Sequence, residues 1–253
     1  MASALEITAA AMVGAVVGSF LNVVAHRVPR GESVVAPRSR CPHCETAIAA
    51  YDNVPVLSWV LLRGRCRHCG GRIPVRYPLV ELLTAGSFVA VTAVRGLDAD
   101  LLLELPFVAV LIGLAAIDHE HRILPNAIVY PLTGYGVAAA ALMDTGDLLE
   151  HVIAGFAAFT FLLLAVLAHP AGMGMGDVKL AGAMGVFLGL AVVPGLLVAF
   201  FSGSVVGIGL IVRDGAGARK RAVPFGVFLA LGGIVGVLVG GDLIELYRDA
   251  FLS

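Results

Sequence analysis

The chain has 253 residues, of which 59% are hydrophobic and 14% are charged, and its formal net charge is -1. Because about a quarter of the residues in a typical soluble domain are charged, this composition excludes an ordinary soluble protein and indicates a protein embedded in membrane lipid. The near-neutral balance also lacks the basic surplus that nucleic-acid binding requires. We therefore expect no nucleic-acid partner.

Eight apolar stretches approach or reach the length that crosses a bilayer core of about 30 Å. They cover residues 7–25, 77–94, 101–117, 123–142, 152–168, 178–190, 192–212 and 223–239. Only Pro194 and Gly195 interrupt the apolar run between the sixth and seventh stretches, so these two could instead form one broken helix. The sequence thus predicts an all-α polytopic membrane protein with about eight transmembrane helices, or seven if that run is continuous.

The distribution of Lys and Arg predicts the orientation of these helices. If the N-terminus lies outside, 15 of the 17 basic residues fall in cytoplasmic loops, and only Arg95 and Arg248 fall outside. The first stretch could instead be a cleaved signal peptide, but no Lys or Arg precedes Arg27 and no clear cleavage site follows. We expect it to be an uncleaved span.

Residues 26–76 form the only predicted soluble module, between a first transmembrane helix at 1–25 and a transmembrane domain at 77–253. This module contains every cysteine of the chain, in two Cys-x-x-Cys pairs: Cys41 with Cys44, and Cys66 with Cys69. Such spacing is typical of a zinc ribbon with four thiolate ligands. Disulfides would require an oxidising compartment, whereas the charge distribution puts the module in the cytoplasm. We expect a structural Zn²⁺, since four cysteines leave no open coordination position.

Two aspartates occur at the ends of apolar stretches, where an ionisable group is costly and is usually functional. Asp118 follows the third stretch, and Asp177 precedes the sixth. Either could simply end a helix, with Asp177 as an N-cap. Glycines at 172, 174 and 176 favour a functional interpretation for Asp177, because they permit a close approach of a substrate backbone.

Two carboxylates that share a site can catalyse aspartyl hydrolysis. One, ionised, accepts a proton from the attacking water, while the other, protonated, supports the carbonyl oxygen. Asp118 is predicted at a helix C-terminus and Asp177 at a helix N-terminus, so the helix dipoles favour Asp177 as the ionised base and Asp118 as the proton carrier.

Several motifs occur in the order known from one protein family. Gly174-Met175-Gly176-Asp177 resembles the GxGD motif of intramembrane aspartyl proteases, and most closely that of bacterial type IV prepilin peptidases. Five further segments match the family's pattern in order: Gly18-Ser19-Phe20-Leu21-Asn22-Val23, the two cysteine pairs, Arg76-Tyr77-Pro78-Leu79-Val80-Glu81, Ile117-Asp118 with Leu124-Pro125, and Pro224-Phe225-Gly226. The sequence departs at Asn126, where the family often has Asp, and at Val227, where it often has Pro. We expect no catalytic role for Asn126.

The resemblance implies an enzyme of the bacterial inner membrane that removes the basic leader from prepilins or pseudopilins at the cytoplasmic face. It also implies N-methylation of the new N-terminus with S-adenosylmethionine, which the family associates with the cysteine-bearing region. A peptidase without methyltransferase activity is the alternative.

The roles of three further residues stay open. Glu81 could pair with Arg76 at the end of the second stretch, or both could line a substrate or methyl-donor site. Lys179 could support the active site together with Gly174 and Gly176, or could anchor its helix at the membrane interface.

Two protease-like patterns are better explained by structure. We interpret the triplet at 144–146 (Asp-Thr-Gly) as a turn, and Ser202-Gly203-Ser204 as a helix-packing surface, since no histidine follows His169. A zinc-stabilised transporter or a pilus-assembly scaffold are the alternatives from other functional classes. Against a transporter, both acids lie at the predicted cytoplasmic face and no internal repeat is evident.

Overall fold

The computed structural model describes residues 2–142, 148–169, 173–215 and 223–251. These ranges contain nine α-helices and no β-strand, which confirms the all-α prediction. The helices are α1 (Ala4–Arg27), α2 (Leu57–Leu61), α3 (Arg76–Arg95), α4 (Leu101–His121), α5 (Asn126–Leu142), α6 (Leu148–Ala168), α7 (Met175–Leu188), α8 (Val192–Asp214) and α9 (Phe225–Phe251). The triplet at 144–146, Gly172 and the basic residues 219–221 lie outside the described residues.

The helices are those of a multi-pass membrane protein. Within the described ranges, six helical stretches are long and apolar enough to cross a bilayer. They are Ala4–Arg30, Arg76–Arg95, Leu101–His121, Leu148–Ala168, Met175–Asp214 and Phe225–Phe251. Two differences explain why six stretches are found where the sequence predicts eight. The helix α5 has only 17 residues, and α7 and α8 belong to one stretch of 40 residues. The count of eight therefore stays a prediction.

The start of α5 differs from the predicted stretch at 123–142. Arg122 has a positive φ of 55°, which ends α4, and α5 begins only at Asn126. Pro125 explains the delay, because a proline disfavours helical geometry in the residue before it and is well tolerated at the start of a helix. A short non-helical segment, residues 122–125, thus separates α4 from α5 just beyond the helical turn that contains Asp118.

The chain divides into two compact units, Met1–Ala116 and Ile117–Ser253. In the first unit, α1 and α3 pack closely through two glycines one turn apart. A Cβ atom at Gly14 would lie 2.7 Å from Ala85 Cα, and one at Gly18 would lie 2.7 Å from Glu81 Cα. One turn further along α1, the Asn22 Nδ2 atom donates to the Tyr77 carbonyl oxygen at 3.1 Å. The predicted boundaries at 26 and 77 stay a prediction.

In the second unit, α7 is the central helix. Almost every residue from Asp177 to Phe187 is buried, although the helix is only 14 residues long. Its contact with α6 is formed by backbone surfaces, since a Cβ at Gly185 would lie 2.6 Å from Gly155 Cα. The helices α8 and α9 approach similarly, because a Cβ at Gly195 would lie 2.8 Å from the Gly232 carbonyl oxygen. Small residues at such contacts are typical of membrane helices.

We predict that Gly185→Ala destabilises the second unit by about 1–3 kcal/mol, because the added methyl group must displace the backbone of α6. Thermal unfolding in detergent measures this effect. Gly134→Ala in α5 is the matched control, since a Cβ there meets nothing within 4 Å. Equal melting temperatures for the two variants would contradict the close approach of α6 and α7.

Candidate active site and cysteine cluster

Asp118 lies in the last turn of α4, and only 5% of its surface is exposed. The first turn of α9 provides the space for its carboxylate: a Cβ at Gly226 would lie 2.9 Å from Asp118 Oδ2. The backbone N–H groups of Gly226 and Val227 interact with this carboxylate. The buried Oδ2 atom has no hydrogen-bond partner among the described residues. One oxygen of Asp118 is thus left to interact with another group.

Asp177 is the third residue of α7 and is also buried. The N-cap is Gly174, so the alternative in which Asp177 itself is the N-cap residue is wrong. Instead, Asp177 Oδ2 reaches back and accepts from the Gly174 N–H at 3.0 Å, which satisfies a donor that the helix leaves free. The helix starts at Met175, two residues before Asp177. The structural role of Asp177 as a capping carboxylate therefore coexists with any chemical role.

The two aspartates line the same cavity, which has a volume of about 320 Å³. All of its lining residues belong to the second unit: Asp118, Arg122, Ile123, Leu124, Asn126, Gly174, Gly176, Asp177 and Lys179. The cavity thus combines two carboxylates with two basic side chains and two glycines. Such an arrangement can hold a water molecule and a peptide backbone next to a pair of acids.

The helix dipoles do not distinguish the two carboxylates in the way that the sequence suggested. Asp118 ends α4, but it also faces the N-terminal turn of α9. Asp177 lies in the N-terminal turn of α7. Since the positive end of a helix is close to each carboxylate, the dipole argument does not assign the proton to Asp118.

Lys179 is held beside the cavity by two residues of α5. Its Nζ atom donates to Asn126 Oδ1 at 3.1 Å and lies 5.2 Å from the centre of the Tyr130 ring. Gly176 allows the start of α7 to pack on the segment after α4, since a Cβ there would lie 3.0 Å from Leu124 Cβ. Gly174 contributes its N–H to Asp177. These contacts give Lys179, Gly174 and Gly176 places in the cavity wall.

Four further residues contact or line this site, although no pattern in the sequence indicates a site role for them: Arg122, Leu124, Asn126 and Gly226. In the sequence, Gly226 is marked only as part of the motif Pro224-Phe225-Gly226. Its position just after a predicted cytoplasmic loop, on the same side as both aspartates, was the available signal. Asn126 contributes as a partner of Lys179.

The four cysteine Sγ atoms of the first unit form one cluster, as predicted, and lie within 4.8 Å of one another. Both pairs form the same backbone turn: the Cys41 N–H donates to the Thr46 carbonyl, and the Cys66 N–H donates to the Gly71 carbonyl. Tetrahedral Zn²⁺ with sulfur at about 2.3 Å requires sulfur atoms about 3.8 Å apart. The Cys41 and Cys69 Sγ atoms are 3.7 Å apart, so the cluster could bind zinc.

Polar contacts fix the rest of the module around this cluster. Arg67 forms an ion pair of 2.6 Å with Asp52 and lowers the pKa of that carboxyl group. The Trp59 indole N–H donates to the Ile73 carbonyl oxygen at 3.1 Å. Hydrogen bonding to Thr46 lowers the pKa of the Cys44 thiol to about 6, whereas desolvation and the other three cysteines raise the pKa of the Cys69 thiol to about 11.

A second cavity, of about 580 Å³, lies within the first unit next to the cysteine module. Glu81 lines it, is buried, and accepts from the Val56 N–H at 2.7 Å. Arg76 is not among the described residues that line this cavity, and its guanidinium lies 5.1 Å from the centre of the Tyr77 ring. Of these two predicted site residues, only Glu81 faces the cavity.

Comparison with known proteins gives consistent matches over most of the chain. The bacterial peptidase A24 N-terminal domain matches residues 12–94, and the type IV leader peptidase family matches residues 105–212. The chain is 37% identical to the prepilin leader peptidase/N-methyltransferase of Aeromonas hydrophila, over 93% of this chain and 91% of the relative. It is 43% identical to the protein of the same name from Myxococcus xanthus (strain DK1622), over 83% of this chain and 65% of the relative. No solved structure matches the chain.

Proposed function

Because this chain belongs to the type IV leader peptidase family, we propose that it is a membrane-embedded aspartyl endopeptidase that also methylates its product. It removes the basic leader from prepilins or pseudopilins and then N-methylates the new N-terminus. The observation that carries the peptidase assignment is the burial of Asp118 and Asp177 against one cavity in the second unit.

The proposed cleavage uses the two aspartates as one acid–base pair. One carboxylate accepts a proton from water as the water oxygen attacks the scissile carbonyl carbon, while the protonated partner donates a hydrogen bond to the carbonyl oxygen. Collapse of the tetrahedral intermediate breaks the C–N bond, and the leaving amine takes a proton from the pair. Two carboxylates that share one proton titrate as a unit, so each step is assigned to the pair and not to a fixed residue.

The glycines and Lys179 assist this chemistry. Gly174 orients Asp177 through its N–H at 3.0 Å, and the absence of side chains at Gly174 and Gly176 leaves space for a peptide backbone. Lys179, fixed by Asn126, supplies a positive charge beside the pair. That charge limits the mutual repulsion of two carboxylates in a low-dielectric site.

The methyl-transfer chemistry is proposed for the first unit. Its cavity of about 580 Å³ is within the size range of small-molecule sites, and its lining includes carboxylates that can accept hydrogen bonds from a ligand. S-adenosylmethionine, when bound, supplies an electrophilic methyl group. A structural Zn²⁺ on Cys41, Cys44, Cys66 and Cys69 would hold the wall of this cavity in place.

We propose that the protein resides in the bacterial inner membrane, with its N-terminus outside. The excess of Lys and Arg in alternate loops supports this orientation. The zinc module and both aspartates then face the cytoplasm, where a prepilin would present its basic leader.

We predict that Asp118→Asn and Asp177→Asn each reduce leader removal at least about a hundredfold, because an amide can neither accept nor donate the required proton. Purified protein is incubated with a prepilin, and cleavage is followed by gel mobility and mass. Asp242→Asn, an exposed aspartate of α9, is the matched control and retains full activity. Cleavage by either cavity variant at the unmutated rate would rule out the aspartyl mechanism.

Gly226→Ala is expected to reduce leader removal at least about tenfold without unfolding the protein. Its methyl group would lie 2.9 Å from Asp118 Oδ2, and a shift of the carboxylate of about 1 Å is enough to impair catalysis. Gly241→Ala in the same helix is the control, since a Cβ there meets nothing within 4 Å. Unchanged turnover in Gly226→Ala, at equal melting temperature, would contradict the proposed position of Asp118.

Zinc content tests the cysteine cluster. We expect one Zn²⁺ per chain by elemental analysis, and loss of this zinc in Cys66→Ser, because three thiolates hold the ion less tightly than four. His68→Asn, which alters the second cysteine pair without removing a Sγ atom, retains the metal. A Cys66→Ser variant with full zinc content would show that the cluster is not the metal site.

A further inference from the structure

The residues of α1 and α3 that line the larger cavity, which we call its floor, include a buried amide side chain. Asn22 of α1 is only 2% exposed and lines the cavity. Its Nδ2 atom donates to the carbonyl oxygens of Gly18 and Tyr77. Its Oδ1 atom is buried and has no hydrogen-bond partner in the part of the chain that the structure describes. Leaving such an acceptor unsatisfied is costly, so the site favours a ligand that donates a hydrogen bond to it.

Glu81 provides a second acceptor on the same floor. It is 7% exposed, lines the cavity, and accepts from the Val56 N–H at 2.7 Å. Ser19 also interacts with this carboxylate and lines the cavity. A carboxylate has about four acceptor positions, so these two contacts do not exhaust its capacity.

The packing of α1 on α3 makes Asn22 and Glu81 neighbours. Gly18 contacts Glu81 through the close approach described above. Asn22 lies one helical turn after Gly18, and it bonds to Tyr77, which lies one turn before Glu81. The two side chains therefore lie on facing surfaces of the two helices, one turn apart.

Val56, which also lines the cavity, has an unfavourable backbone conformation. Its φ is 60°, which is rare and unfavourable for a β-branched residue. This conformation directs the Val56 N–H to Glu81. Strain of this kind is often found at ligand sites, because the surrounding structure must enforce it.

We propose that Asn22 and Glu81 form a binding site for a primary ammonium group at the floor of this cavity. An ammonium group has three hydrogen-bond donors and a positive charge. These match the Glu81 carboxylate, which can accept further hydrogen bonds, and the Asn22 amide oxygen, which accepts none from the described residues. The inference deepens the proposed methyltransferase activity and rests on it for the identity of the ligand. Two reactants carry this group: the α-ammonium of S-adenosylmethionine, and the N-terminus of the leader-free pilin.

Direct binding distinguishes the two sources and does not depend on turnover. The full-length protein with zinc is titrated with S-adenosylmethionine and with an analogue that lacks the α-amino group. It is titrated separately with a leader-free pilin peptide and with the same peptide acetylated at its N-terminus. We expect one pair to show a preference of at least about tenfold for the free amine, because charge-assisted hydrogen bonds are the stronger ones.

The preference should depend on both acceptors. Glu81→Gln and Asn22→Leu are each expected to reduce the preference for the free amine over its blocked analogue at least about fivefold, for whichever ligand pair shows that preference in the unmutated protein. Glu104→Gln is the matched control: it removes the charge of another buried carboxylate in the first unit, outside this cavity, and keeps the preference. Melting temperature and zinc content show whether each variant is folded.

The outcomes separate this inference from the proposed function. Amine preference for the methyl donor alone, or for the peptide alone, supports the site and identifies its ligand. Equal binding of free and blocked amines in both pairs overturns the site, even if the protein methylates pilin. Amine preference that persists in folded Glu81→Gln and Asn22→Leu overturns it as well. Leader cleavage and methyl transfer, scored in parallel, test the proposed function independently.

Discussion

Close contact between helix backbones is the constraint on which the site in the second unit depends. In lipid there is little hydrophobic gain in bringing helices together, so stability comes from contact between complementary surfaces and from internal hydrogen bonds. Gly155 and Gly185 let α6 and α7 meet without side chains between them, and Gly195 and Gly232 do the same for α8 and α9. As a result, α7 is surrounded by protein, and Asp177 in its first turn is buried.

The glycines next to the aspartates serve a different purpose from those between the helices. Gly226 leaves space for a carboxylate instead of for a neighbouring helix, since the nearest atom to its Cβ position is Asp118 Oδ2. Gly174 supplies an N–H to Asp177. A buried carboxylate without such partners would be costly at membrane depth. Backbone donors thus satisfy part of each carboxylate while leaving acceptor capacity for water and substrate.

Much of this architecture could be predicted from the sequence. Asp118 and Asp177 were found because charges are rare in apolar stretches, and the cysteines because their spacing is specific. Gly226 could not be recognised in the same way, since its role depends on tertiary contact with a residue far away in the chain. The sequence placed Asp177 at the start of a helix but not the first residue of α7, because glycines permit a helix to start at several residues; in the structure Gly176 packs against Leu124 within the first turn. Pro125 could have corrected the start of α5.

The two cavities are lined by different functional groups, and this difference fits two successive reactions. The cavity at Asp118 and Asp177 contains paired acids with Lys179 and Arg122, which suits hydrolysis of an amide. The floor of the other cavity offers acceptors from Asn22 and Glu81, which suit an amine. Hydrolysis of a peptide bond releases an amine, and methyl transfer consumes one. Since each cavity is lined by residues of a single unit, side chains that serve one reaction can vary without a direct effect on those that serve the other. We therefore expect relatives with peptidase activity alone to keep both aspartates, whereas other residues can replace Asn22 and Glu81 at the equivalent positions.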